Sequence, residues 1–124
     1  MASDGKKVLI CDDSLLVRTQ LHDFLNALGQ NLTILEAADG TIALDVFKEH
    51  RPDLVLLDVV MPNLSGIECL KEIKKIDPNA VVIMVSSVGT AKILKEAIDA
   101  GAVDFVQKPW TQGLLAEVIN KTLK

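Results

Sequence analysis

The chain has 124 residues, 49% of them hydrophobic, a size that buries roughly two-thirds of the surface its unfolded form exposes and fills one domain, residues 1–124. Thirteen Lys and Arg against seventeen Asp and Glu leave a formal charge of −4, so no basic field attracts a phosphate backbone and direct nucleic-acid binding is excluded as a stand-alone activity. The start, Met1 to Lys7, is polar and apolar runs such as Val81 to Val85 fall far short of a membrane span, so a soluble, cytoplasmic protein with no membrane partner is expected.

Short β-branched runs alternate with longer stretches of helical period, five times over at about 25 residues per unit. The first expected strand, Lys7 to Cys11, leads through Asp12 and Asp13 into a helix whose apolar face is Val17, Leu21, Phe24, Leu25 and Leu28, with Gly29 just past its end. A second strand, Thr33 to Ala37, precedes a helix with Ile42, Ala43, Val46 and Phe47 on its core side. The third strand, Leu54 to Asp58, is followed by a helix capped by Ser65, with Ile67, Leu70 and Ile73 inward. The fourth, Ala80 to Val85, leads past Ser86 to a helix with Ile93, Leu94, Ala97 and Ile98 inward and Gly101 beyond it. The fifth, Val103 to Gln107, leads through Lys108, Pro109 and Trp110, a packing residue, to a helix capped by Thr111 with Leu114, Leu115, Val118 and Ile119 inward. Continuously apolar strands suit a parallel sheet covered on both faces. The fold class is therefore α/β: a doubly wound (βα)5 domain with right-handed crossovers. The expected strand order, 2-1-3-4-5, is one known for such sheets, not one derived from these residues.

Cys11 and Cys69 lack the CxxC spacing of a zinc or redox site and lie within apolar segments, so both are assigned to the core. His22 and His50 have no second ligand in the pattern and are given surface roles.

Ligands of doubly wound sheets bind beyond the carboxyl ends of the strands, at the switch point between strands 1 and 3. The residues expected there are Asp12, Asp13, Asp58, Ser86 and Lys108. Any one of them alone would be an ordinary cap or a solvated loop residue. Together, three neighbouring carboxylates repel one another unless a cation neutralises them. Oxygen-only donors, few in number, match Mg²⁺ and its habit of completing its shell with waters and phosphate. Ser86 supplies a hydroxyl donor and Lys108 a compact positive charge that can pair with Asp58 before phosphorylation and with the phosphoryl group afterwards. This is a phosphoryl-transfer set, with Asp58 as the best candidate nucleophile for an aspartyl phosphate.

The segments Val8 to Asp13 (VLICDD), Asp58 to Gly66 (DVVMPNLSG), Val85 to Ser87 (VSS) and Gly101 to Pro109 (GAVDFVQKP) resemble, in order, the motifs of response-regulator receiver domains of the single-domain, chemotaxis-regulator kind. The resemblance covers essentially the whole chain and implies the flavodoxin-like order 2-1-3-4-5. It further implies that Asp58 takes a phosphoryl group from a phosphohistidine of a histidine kinase or phosphotransfer protein. Asp13, Asp58 and the backbone carbonyl of Val60 would hold Mg²⁺, with Asp12 acting mainly through a metal-bound water. Ser86 and Phe105 correspond to the pair whose coupled movement switches a surface of helix 4, strand 5 and helix 5 towards an output protein that the sequence does not name. The Lys108–Pro109 bond is implied to be cis, aiming Lys108 into the site. Val60 and Val88 stand at the positions that set the lifetime of the phosphorylated state. Being apolar, they hold no water in line for hydrolysis and cover the phosphoryl group, so self-dephosphorylation is expected to be slow.

Two other chemistries also use strand-end acids. Haloacid-dehalogenase-type phosphatases need a second Asp two positions after the nucleophile, where this chain has Val60, and nucleotide binders need a glycine-rich loop where it has Cys11-Asp12-Asp13-Ser14. The domain is therefore read as a non-enzyme that catalyses only its own phosphorylation and dephosphorylation. The alternative context is a receiver excised from a larger regulator, such as a DNA-binding transcription factor or hybrid kinase.

Overall fold

The structure, a computed structural model, describes residues 5–28 and 31–123. Among them, strands β1 (Lys6–Cys11), β2 (Leu32–Ala37), β3 (Leu54–Leu57), β4 (Val82–Ser86) and β5 (Asp104–Gln107) alternate with helices α1 (Leu15–Ala27), α2 (Gly40–His50), α3 (Gly66–Ile76), α4 (Ala91–Asp99) and α5 (Gln112–Thr122). All strand pairs are parallel and the order is β2-β1-β3-β4-β5, as expected.

Alternation along each strand divides the interior in two. Leu9, Cys11, Val55, Leu57, Val82 and Met84 face a core closed by α2, α3 and α4 through Phe47, Leu70, Ile73 and Ala97. Val8, Ile10, Leu54, Leu56, Ile83 and Val85 face a second core closed by α1 and α5 through Leu21, Leu25, Leu115 and Ile119. This is why Val8 to Cys11 of β1, all of β3, and Val82 to Val85 of β4 read as unbroken apolar runs: both faces of the sheet are covered there.

Local chemistry fixes the helix starts. Ser14, Asp39, Ser65, Thr90 and Thr111 are extended N-cap residues whose side-chain oxygens accept a backbone N–H three positions on. Gly101, at φ 109, takes the left-handed position after α4. Gly29, expected to do the same after α1, lies outside the described residues.

Two expectations are corrected. Ser86 is the last residue of β4 and Asp58 the first beyond β3, a shift of one position at each end. Ile42, Leu94, Ile98 and Leu114, assigned to the core, are exposed at 44, 38, 51 and 47%. Each stands one position from an inward residue (Ala43, Ile93, Ala97 and Leu115), about 100° round the helix. The stripe that meets the sheet is narrower than the apolar stripe in the sequence.

Candidate functional site

Asp12, Asp58 and Lys108 occupy equivalent places in the sheet, each the first residue past its strand and each held by one further ladder-like bond. The Asp12 N–H donates to the Ala37 carbonyl at 3.1 Å, the Asp58 N–H to the Cys11 carbonyl at 3.0 Å, and the Lys108 N–H to the Ser86 carbonyl at 2.9 Å. Their backbones are thus as fixed as the strands while their side chains reach past the sheet edge. Asp12 and Asp58 are buried, Asp13 is exposed, and one carboxylate oxygen from each lies within 4.8 Å of the others.

Lys108 enters this cluster from β5. Its Nζ donates to Asp12 Oδ2 at 2.6 Å and to Asp58 Oδ2 at 3.2 Å. The expected partner was Asp58, yet the shorter bond goes to Asp12. The other Asp12 oxygen, Oδ1, accepts the Ser14 N–H at 2.9 Å, which turns Oδ2 towards the lysine. Partial burial pulls the Lys108 ammonium towards neutrality, but the hydrogen bond to Asp12 and the charge of Asp58 outweigh it, so its pKa lies above the ordinary lysine value. Three carboxylates against one ammonium still leave the cluster formally anionic.

The donors suit a small hard cation. Mg²⁺ takes oxygen ligands at about 2.0–2.1 Å, and three carboxylate oxygens within 4.8 Å of one another are near enough to gather round an ion of that size with small adjustments. Around this trio, the Val59 and Pro62 carbonyls accept the Gly66 and Leu64 N–H groups. The Val60 carbonyl between them accepts no hydrogen bond among the described residues. Ser86 is fully buried, and its hydroxyl accepts the Val88 N–H at 3.2 Å. The large hollow beside this edge, about 1110 Å³ and lined by Val17, Phe24 and Trp110 between α1 and α5, meets the chemistry only at Lys108. Of the acid cluster, Asp12 and Asp58 are 2% and 7% exposed.

A family model, the response regulator receiver domain, matches residues 8–120. The chemotaxis protein CheY of Thermotoga maritima is 42% identical over 97% of this chain and 99% of its own. The CheY of Bacillus subtilis is 44% identical over 94% and 97%. Among solved structures, a chain of the CheX–CheY–BeF3–Mg²⁺ complex from Borrelia burgdorferi is 34% identical with a TM-score of 0.89, covering 96% of this chain and 90% of that one.

This chain belongs to the response-regulator receiver-domain family. As a receiver of the chemotaxis-regulator type, it is a phosphorylation-activated switch of two-component signalling. No helix among its described residues is long and apolar enough to cross a membrane.

The receiver domain holds the loop after Asp58 by contacts that the sequence reading missed. The Asn63 Nδ2 donates to Asp39 Oδ2 at 2.9 Å, and Asn63 takes the left-handed region at φ 69. A Cβ on Gly40 would stand 2.3 Å from the Leu64 carbonyl oxygen, and one on Gly66 only 1.8 Å from that of Asp58. Asp-Gly at 39–40 and Ser-Gly at 65–66 are visible in sequence as turn or cap signals, but their approach to one another is not. Arg18 and Glu36 were also missed. Phe105 is half-buried against the core of α2–α4, and the Lys108–Pro109 bond is cis, as the resemblance implied. Trp110 packs against the α1–α5 core. Cys11 and Cys69 are buried free thiols, both with pKa raised first by burial, Cys69 to about 12. His22 lies at the surface, 3.1 Å from Glu36.

The expected cover over the phosphoryl site is only partly present. Val60 is 59% exposed, because its loop turns the side chain outward, and Val88 alone is half-buried.

Proposed function

We propose that Asp58 is the phosphoacceptor, that Ser86 and Lys108 bind the transferred group, and that Asp12, Asp13, Asp58 and the Val60 carbonyl form the metal site. The observation carrying this reading is the bridge from Lys108 Nζ to Asp12 and Asp58 within a three-carboxylate cluster. Asp58 Oδ2 is engaged by Lys108, and its Oδ1 has no hydrogen bond among the described residues, which leaves that oxygen free to meet phosphorus. In the transfer, an Asp58 oxygen forms the new P–O bond while the P–N bond of a phosphohistidine breaks, its electron pair returning to the departing imidazole. Mg²⁺, when bound, neutralises charge on the phosphoryl oxygens. Lys108 exchanges a carboxylate partner for a phosphoryl oxygen, and the Ser86 hydroxyl turns from the Val88 N–H towards it. In this reading Phe105 follows that movement, so the surface of α4, β5 and α5 changes for an output protein. The exposed Leu94, Ile98 and Leu114 on α4 and α5 support this surface as a contact region.

The donor in this reading is another protein, a histidine kinase or phosphotransfer protein, which membership of the receiver-domain family supports. The reading places residues 1–124 in one receiver working in the cytoplasm, with no turnover beyond its own phosphorylation and dephosphorylation. Asp58→Asn tests it: labelling by a phosphorylated kinase or by acetyl phosphate with Mg²⁺ is expected to vanish. Undiminished labelling of that variant would remove Asp58 from the role.

A further inference from the structure

Asp13 is exposed, and among the described residues its carboxylate makes no hydrogen bond or ion pair, so the protein places it only through the backbone from which its rotamers project. Both flanking peptide groups are held by side chains. Arg18 Nη1 donates to the Asp12 carbonyl at 2.8 Å, and the Ser14 N–H donates to Asp12 Oδ1 at 2.9 Å. Arg18 is itself braced, because its Nε donates to Glu36 Oε1 at 2.9 Å and the other Glu36 oxygen lies 3.1 Å from His22 Nδ1. Two bonds in different directions from one planar guanidinium fix its plane. The Arg18 side chain is only 15% exposed, and its bond to the Asp12 carbonyl is part-buried, while Glu36 at 34% stays in reach of water. The brace runs from Glu36 on the edge strand β2, across α1, to the turn that carries the acid pair.

We infer that Arg18 is a positioning residue for the metal site: it orients Asp13 by fixing the peptide group that precedes it. The inference rests on the proposed metal-binding role of Asp13. It makes a prediction opposite in sign to that of charge alone. Removing a cation near a Mg²⁺ site, and freeing the Glu36 carboxylate, should tighten Mg²⁺ by simple Coulomb attraction. Loss of the brace should instead weaken it, since removing a residue that orients a metal ligand typically costs about 10- to 100-fold in affinity. Lysine cannot replace the fork, because one ammonium on a flexible stem does not hold the Asp12 carbonyl and Glu36 in fixed directions together.

The test is calorimetric titration of the metal-free protein with Mg²⁺, applied to wild type, Arg18→Met, Arg18→Lys, Asp13→Asn and the Arg18→Met/Asp13→Asn pair. Thermal unfolding without metal checks that each variant is folded, and Arg18→Lys, which keeps stem and charge, serves if Arg18→Met is not. The expected result is Mg²⁺ binding about tenfold weaker in either single Arg18 variant, and no further weakening when Arg18→Met is added to Asp13→Asn. Unchanged or tighter binding in folded Arg18 variants would overturn the inference, as would equal weakening with and without Asp13. Absence of Mg²⁺ binding by the wild type would bring down the metal site itself, and the inference with it.

Discussion

Lys108 is the cation that the fold brings among the three carboxylates, and its raised pKa ties stability to alkaline pH. A group whose pKa is higher folded than unfolded contributes stability that is fully present below its ordinary value, 10.5 here, and lost as pH rises through the folded value. In the absence of metal, the urea midpoint of the wild type is expected to fall above about pH 10.5. The fall should be shallower in Lys108→Ala, which has no such proton to lose. The same variant leaves buried carboxylates without their internal counter-charge, so saturating Mg²⁺ should stabilise it more than it stabilises the wild type. Parallel alkaline loss in the two proteins would contradict this account. The sequence placed Lys108 at the site through its position after the fifth strand. It could not show that Asp12 takes the shorter bond, because that depends on how Ser14 turns the Asp12 carboxylate.

Among the elements, α3 is placed by the most demanding steric contact. A Cβ at Gly66 would stand 1.8 Å from the Asp58 carbonyl oxygen, whereas one at Gly113, near the start of α5, meets nothing within 4 Å. Gly66→Ala must therefore displace α3 or the end of β3 that carries Asp58, at a cost of roughly 1–3 kcal/mol. Gly113→Ala restrains the unfolded chain without a clash and should stabilise by about 0.4–1 kcal/mol. Chemical denaturation of both variants checks the opposite signs, and similar effects at the two glycines would show that the contact at Gly66 is easily relieved. Nothing in the two sequence contexts separates these glycines as clearly as their neighbours in space do. The elements themselves were legible because burial on both faces leaves unbroken apolar strands and a 3.6-residue helical stripe. What escaped was polar and distant. Arg18 and Glu36 are 18 residues apart, Asp39 and Asn63 are 24 apart, and each alone looks like a solvated helix, strand-edge or loop residue.

For the whole molecule, the central question is how a phosphoryl group on one strand end is kept and lost. Neither Val60 nor Val88 offers a polar side-chain atom to hold an attacking water. Exposure of Val60 limits its role to that lack, while the Val88 N–H donates to the Ser86 hydroxyl, the group proposed to bind the phosphoryl oxygen. Replacing Val60 with Asn and Val88 with Glu should speed decay of the phosphorylated protein by an order of magnitude or more, if each change lowers the barrier by about 1 kcal/mol. Decay is followed after removal of the donor with Mg²⁺ in excess, and a rate no faster than wild type would acquit both valines. The most direct test of the account traps the acyl phosphate itself. Borohydride reduction of the freshly phosphorylated protein, followed by peptide mass mapping, is predicted to convert Asp58 to homoserine when Mg²⁺ is present and to leave it intact when the metal is chelated. Homoserine at Asp12 or Asp13 with Asp58 unchanged, or conversion at Asp58 that ignores Mg²⁺, would contradict the account.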